Sequence, residues 1–199
     1  MLLLVLMKGH PGCGKSTLAR ALAKALKFPL VDKDDARDAM QCLISDCTYQ
    51  ETHPDVIGQT LNEISYEIMF ATAATQLSVG LSVIVDCPLA YARLYHRAAA
   101  IAEQYGARVT VIECICSDEA LWRVRLETRS ALDSGSSKVH KPKSWAQIQA
   151  LMYKYNGCWE WSTDGSVSLN CHVTIDSAFM STCDAVVHIM EQLPPYTHG

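Results

Sequence analysis

Gly9-His10-Pro11-Gly12-Cys13-Gly14-Lys15-Ser16-Thr17 stands between an apolar run, Leu2–Lys8, and a segment with Leu18, Leu22 and Ala25 at helical spacing. The stretch fits G-x-x-x-x-G-K-[ST], a pattern whose chemistry requires a strand before it and a helix after it. Its glycines let the backbone curl without Cβ clashes, so that successive N–H groups converge on an anion. The N-terminus of the following helix adds partial positive charge. Gly12, Cys13 and Gly14 are then the cradle, Lys15 the partner of the β- and γ-phosphates, Ser16 the Mg²⁺ ligand, and Thr17 a donor near the α-phosphate. By itself the pattern specifies a nucleotide and does not choose between ATP and GTP.

Working outward, strand-like and helical patterns alternate. Phe28–Asp32 reads as a second strand, with a helix from about Lys33. Ile57, Leu61, Ile64, Ile68 and Ala71 repeat by fours and threes, the mark of an amphipathic helix. Ser82–Asp86 reads as a buried third strand, followed by a helix through Leu94, Ala98, Ile101 and Tyr105 that Gly106 closes. Val109–Cys116 is a fourth strand, and Ser117 is the expected N-cap of the helix running to Arg129. Residues 130–143 are Ser/Gly-rich and then basic, a long connection of the kind that is often functional. A helix with Trp145, Ile148, Leu151 and Tyr155, a fifth strand at His172–Asp176 and a helix at Cys183–Leu193 complete the chain. Alternation of this kind predicts a single α/β domain over 1–199, with a parallel sheet covered on both faces.

Composition narrows the function classes. With 49% hydrophobic and 19% charged residues in 199, the chain has material for a core. A net charge of −4 disfavours a nucleic-acid backbone as main partner, although a local basic groove remains compatible with it. No stretch approaches the roughly 18 apolar residues of a membrane span. Leu2–Met7 lacks the basic flank and cleavage site of a secretory signal. The nine cysteines are scattered without a CxxC pair, which suits reduced core thiols in a cytoplasmic protein. Cys114 and Cys116 share a strand face, with no second pair to complete a zinc site. Cys13 lies where positive potential would depress a thiol pKa, yet an ordinary small loop residue is the simpler reading.

The second strand ends on Asp32-Lys33-Asp34-Asp35-Ala36-Arg37. In a parallel sheet these strand ends face the ligand crevice, so a carboxylate there can accept a hydroxyl proton and an arginine can hold an anion. In a helix Asp34 and Arg37 share a face, whereas Asp35 does not join them; Asp32 and Asp34 are also possible N-caps. Asp86, ending the third strand, is a candidate Mg²⁺ carboxylate acting through water. Which of Asp34, Asp35 and Asp86 is the base stays open at this level.

The G-x-P-G-x-G-K-S-T loop followed by D-D-x-R resembles the polynucleotide kinase, zeta-toxin and chloramphenicol phosphotransferase group of P-loop kinases. The resemblance implies a P-loop sandwich with strand order 2-3-1-4-5, Asp34 as general base and Arg37 on substrate phosphate. It also implies a short lid at about 125–143, where Arg125 and Arg129 clamp phosphates. Arg123 is expected to pair with Glu127 instead. Arg93 and Arg97 are weaker candidates for an anionic substrate, and Trp159 and Trp161 suit core packing. No N-K-x-D occurs, and Asp86 is followed by Cys87-Pro88-Leu89 rather than by a D-x-x-G switch, which disfavours a GTPase. The expectation is therefore an ATP- and Mg²⁺-dependent kinase acting on a hydroxyl of a small-molecule acceptor. A 5′-hydroxyl nucleic-acid kinase and a nucleotide-dependent switch or binding module are the alternatives.

Overall fold

A computed structural model describes residues 1–40, 54–132, 141–142, 144–155 and 157–196. Five strands, β1 (Leu3–Lys8), β2 (Leu30–Asp32), β3 (Val83–Asp86), β4 (Arg108–Ile115) and β5 (His172–Asp176), form one sheet in the order β2-β3-β1-β4-β5. Every pairing is parallel, as the alternation and the resemblance predict. β1 is central and buried along its whole length, so its side chains feed two cores. Leu3, Val5 and Met7 enter one, Leu4 and Leu6 the other.

The first core is covered by α1 (Lys15–Leu26), α5 (Glu119–Leu132), α6 (Trp145–Lys154) and α7 (Thr182–Gln192), through Leu18, Leu22, Leu126, Ile148 and Ile189. The second is covered by α3 (Pro54–Ser78) and α4 (Ala92–Gln104), through Phe70, Leu77, Leu94 and Ala98. A short helix, α2 (Lys33–Ala39), follows β2 directly. Burying a leucine-sized side chain stabilises by about 1.5–3 kcal/mol, so these two layers supply the main driving force.

Two helix faces differ from the sequence expectation. In α1 the buried position is Leu26, with Ala25 on the exposed side. In α3, Ile64 and Ile68 are exposed at 40% and 43%, while Leu61, Met69, Phe70, Ala73 and Leu77 are buried. The helix is apolar on more than one face, and contact with β3 and α4 selects the stripe holding the larger residues. Ser117 is not the cap of α5: the Asp118 carboxylate accepts from the Leu121 N–H at 3.0 Å, while Ser117 donates to Asp176.

Candidate active site

The C-terminal ends of β1, β2 and β3 open into a cleft of about 1300 Å³, lined by the glycine-rich turn, Asp34, Asp86, Arg125 and parts of α3 and α6. Sheet topology dictates that location, because β1 is where the strand order reverses direction. Gly12 and Gly14 have φ of 86° and 90°, left-handed conformations that a side chain would strain. At Gly9 an added Cβ would lie 2.3 Å from the Cys114 carbonyl oxygen, so the turn can lie against β4 only with glycine there.

Helix α1 begins at Lys15 with no side chain capping it and no acid in its first turn. The first main-chain hydrogen bond of the helix runs from Leu18 N–H to Gly14, at 3.1 Å. The N–H groups of Ser16 and Thr17 are thus left for a ligand, and an anion is the ligand that a helix N-terminus favours. Three contacts brace the turn from outside. Trp122 Nε1 donates to the Pro11 carbonyl at 2.9 Å, Gly9 N–H donates to Pro88 at 3.2 Å, and the Ser177 hydroxyl donates to the Cys13 carbonyl at 2.8 Å.

Lys15 and Asp86 form a buried ion pair on the cleft floor. Burial alone would lower the Lys15 pKa, but the Asp86 carboxylate beside it raises it, so the ammonium stays charged. The other Asp86 oxygen, Oδ2, is buried with no hydrogen-bond partner among the described residues. Such an oxygen is costly unless something polar meets it. Hydrated Mg²⁺ held with Ser16 fits that requirement, since both residues line the cleft. Among the described residues no cluster of three metal-ligating side chains exists, so protein groups alone would not form a closed metal cage.

Asp32 stands in register beside Asp86 and caps α2, accepting from the Asp34 N–H at 2.9 Å. Burial, and then the nearby Asp86 charge, push the Asp32 carboxyl above its usual range. Asp34 is therefore not needed as a cap. Its carboxylate lies between Lys33 at 3.2 Å and Lys141 at 2.7 Å, and Lys33 also donates to Asn62 at 2.9 Å. Lys141, which the sequence leaves as part of a basic loop, thus reaches the carboxylate predicted as base. Asp35 is exposed and outside the cleft lining. Arg37 is buried, 5% exposed, and is not in the cleft lining either.

Arg125 lines the cleft, and its guanidinium donates to the Ser177 hydroxyl at 2.8 Å and the Ser177 carbonyl at 2.9 Å. Because Ser177 in turn holds Cys13, the arginine is coupled to the glycine-rich turn through one residue. Arg129 is on α5, with its side chain outside the described residues, as are 133–140 and Lys143 of the predicted lid. Arg123 pairs with Glu119, not Glu127, and stacks 4.8 Å from the Trp145 ring. Arg97 is tied to Glu67 on α3 and is not in the cleft lining, whereas Arg93 lines it.

The Cys13 expectation needs correcting in sign. Burial pushes its thiol up to about 11, overcoming the lowering effect of Lys15, so the loop holds no reactive thiolate. His10 also departs from its ordinary value, held down to about 4 by burial and then by Lys8. Its neutral ring stacks on Trp159 with centroids 3.8 Å apart. Behind it, Lys8 pairs with Glu113, which also receives hydrogen bonds from His172 and Ser162, each at 2.8 Å. None of Trp122, Trp159 or Ser177 stands out as a site residue by local pattern. Their partners lie tens of residues away, and only the fold brings them together.

An uncapped helix start facing a lysine–carboxylate pair, at the reversal point of a 2-3-1-4-5 sheet, is the arrangement of P-loop nucleotide-binding proteins. Within that class the chain belongs to the AAA domain family, whose model matches residues 4–154. Among curated proteins no match was found. Solved structures with the same fold include a "putative kinase" from Chloroflexus aurantiacus, 21% identical, TM-score 0.68, covering 97% of this chain and 99% of the other. Kti12 of Chaetomium thermophilum in complex with ADP-AlF3 is 14% identical, TM-score 0.64, covering 96% and 100%. A gluconokinase from Sinorhizobium meliloti is 15% identical, TM-score 0.56, covering 94% and 89%. Identities this low establish a shared fold. Among the described residues no helix is long and apolar enough to cross a membrane.

Proposed function

We propose that the protein is an ATP-dependent kinase that transfers the γ-phosphate to a hydroxyl of a small-molecule acceptor. The observation that carries this reading is that Asp34 and the Lys15–Asp86 pair face one cleft, large enough for a nucleotide and a second molecule. A nucleotide switch has no use for a carboxylate and two lysines on the wall facing its phosphates. Lys15 exchanges part of its contact with Asp86 for the phosphates, and the uncapped N–H groups of α1 hold the remaining charge. Ser16 and Asp86 are the residues that would hold Mg²⁺, which would supply further neutralisation of the phosphate charge. Arg125 stabilises charge from the Ser177 side, with Arg129 assigned to the same task from α5, whereas Arg37, buried outside the cleft lining, is not. Asp34 orients the acceptor hydroxyl and takes its proton, with Lys33 and Lys141 fixing the carboxylate.

Asp34→Asn tests the assignment. The cap of α2 is Asp32, so the substitution leaves helix capping untouched. Transfer should slow by roughly 10²–10⁴-fold, the usual cost of losing a general base, with ATP affinity nearly unchanged. The assay is labelled-ATP turnover across a metabolite panel. Normal turnover in Asp34→Asn would remove Asp34 as the base.

A further inference from the structure

One wall of the cleft, next to the glycine-rich turn, carries a run of touching aromatic rings. Tyr91 and Tyr155 meet edge to face with centroids 5.4 Å apart at 79°, and Tyr155 meets Trp159 at 6.2 Å and 83°. Trp159 is fixed from behind by the His10 ring at 3.8 Å, so the platform is anchored to the phosphate loop itself. Tyr66 also lines the cleft, its ring 5.3 Å from the Lys33 ammonium that pairs with Asp34. Aromatic side chains lining a cleft can stack on a planar ligand ring, and such stacking is tolerant of ring identity.

Charge on this wall has a definite sign. Lys15, Lys33 and Lys141 are each paired with an aspartate. Arg93 and Lys154, which flank the aromatic surface in the same cleft, have no carboxylate partner among the described residues. Arg93 lies 5.0 Å from the Tyr91 ring, which holds the guanidinium over the platform. Arg93, held at the Tyr91 ring, and Lys154 give this wall a positive charge that an anionic ligand complements.

We propose that Tyr91, Tyr155 and Trp159 with Arg93 and Lys154 form the acceptor subsite, and that the acceptor is an alcohol built on a planar aromatic ring with an anionic substituent. The ring stacks on the platform, the anion meets Arg93 and Lys154, and the hydroxyl turns toward Asp34. The word acceptor rests on the kinase reading, whereas the ligand class rests on this wall alone.

Binding is measured by calorimetry with the phosphate loop saturated by the non-hydrolysable analogue AMP-PNP. Three probes separate the terms: uridine 5′-monophosphate is aromatic and anionic, uridine aromatic and neutral, gluconate anionic without an aromatic ring. Uridine 5′-monophosphate should bind tightest, with uridine and gluconate each weaker by about tenfold or more, the loss expected for one stacking or charged contact. Tyr155→Leu should weaken both uridine compounds roughly tenfold and leave AMP-PNP binding unchanged. Arg93→Met should narrow the difference between them, Lys154 holding the remainder. Gluconate binding as tightly as uridine 5′-monophosphate, or no saturable binding of any probe at millimolar concentration, overturns the proposal. Should Tyr155→Leu fail to fold, the probe order and Arg93→Met still decide. Probes that bind in the expected order without being phosphorylated support the subsite and count against the kinase reading, so the two failures are distinct.

Discussion

Lys15 shows how one side chain carries two roles that pull in different directions. Sequence reasoning treats it as a surface cation reaching for phosphate, so that Lys15→Ala should abolish transfer and leave the fold intact. The structure buries it, with its ammonium on Asp86, itself 1% exposed. Removing one partner of a buried pair strands the other charge, a loss of about 3–5 kcal/mol. Lys15→Ala should therefore abolish turnover and also lower the melting temperature. Lys15→Met combined with Asp86→Asn should recover much of that stability while remaining inactive. If Lys15→Ala melts as wild type does, the pair is not formed in the free protein. His10 makes the related point that a residue inside a phosphate loop need not touch phosphate, since it stacks on Trp159 with Nδ1 buried.

At the scale of elements, the glycine-rich turn is shaped as much by its neighbours as by its own glycines. β4 passes so close that Gly9 has no room for a Cβ, with the Cys114 carbonyl 2.3 Å from where it would stand and φ at 145°. Gly9→Ala must displace either the turn or β4. It should destabilise by about 2 kcal/mol or more, because overpacking and backbone strain add. Nucleotide affinity should fall with it, whereas Gly80→Ala, at an open position with positive φ, should lower stability alone. Denaturant midpoints and nucleotide titrations on the two variants check this. Equal nucleotide affinities in both would show that the turn tolerates displacement. The motif made the turn legible in sequence; the need for glycine at its first position, set by β4, was not.

Across the whole molecule, the buried cluster of Lys8, Glu113 and His172 joins β1, β4 and β5, and Ser162 links it to the turn beside Trp161. Burial would raise the Glu113 pKa, but hydrogen bonds from His172 and Lys8 and the Lys8 charge outweigh it and hold it at about 2. A depressed carboxyl contributes stability that is fully present above its unfolded value near 4.5 and is lost as pH falls through about 2. Unfolding free energy should accordingly decline between those values. In a Lys8→Met, Glu113→Gln double variant the decline over the same window should be shallower. Equal slopes in the two proteins would place the acid sensitivity elsewhere.

What the sequence by itself determined is whatever depends on neighbours within a few residues. The phosphate-binding turn, the alternation of five strands with helices and the carboxylates at the ends of β2 and β3 were legible because spacing and residue type encode them locally. The strand order came through resemblance. Tertiary structure alone decided which apolar stripe of α3 is buried. It also decided that Lys141 reaches Asp34, that Ser177 couples Arg125 to Cys13, and that Trp159 stacks on His10. Each of these contacts joins residues some 50 to 160 positions apart. Their existence depends on how the two cores close over the sheet, and no local periodicity carries that information.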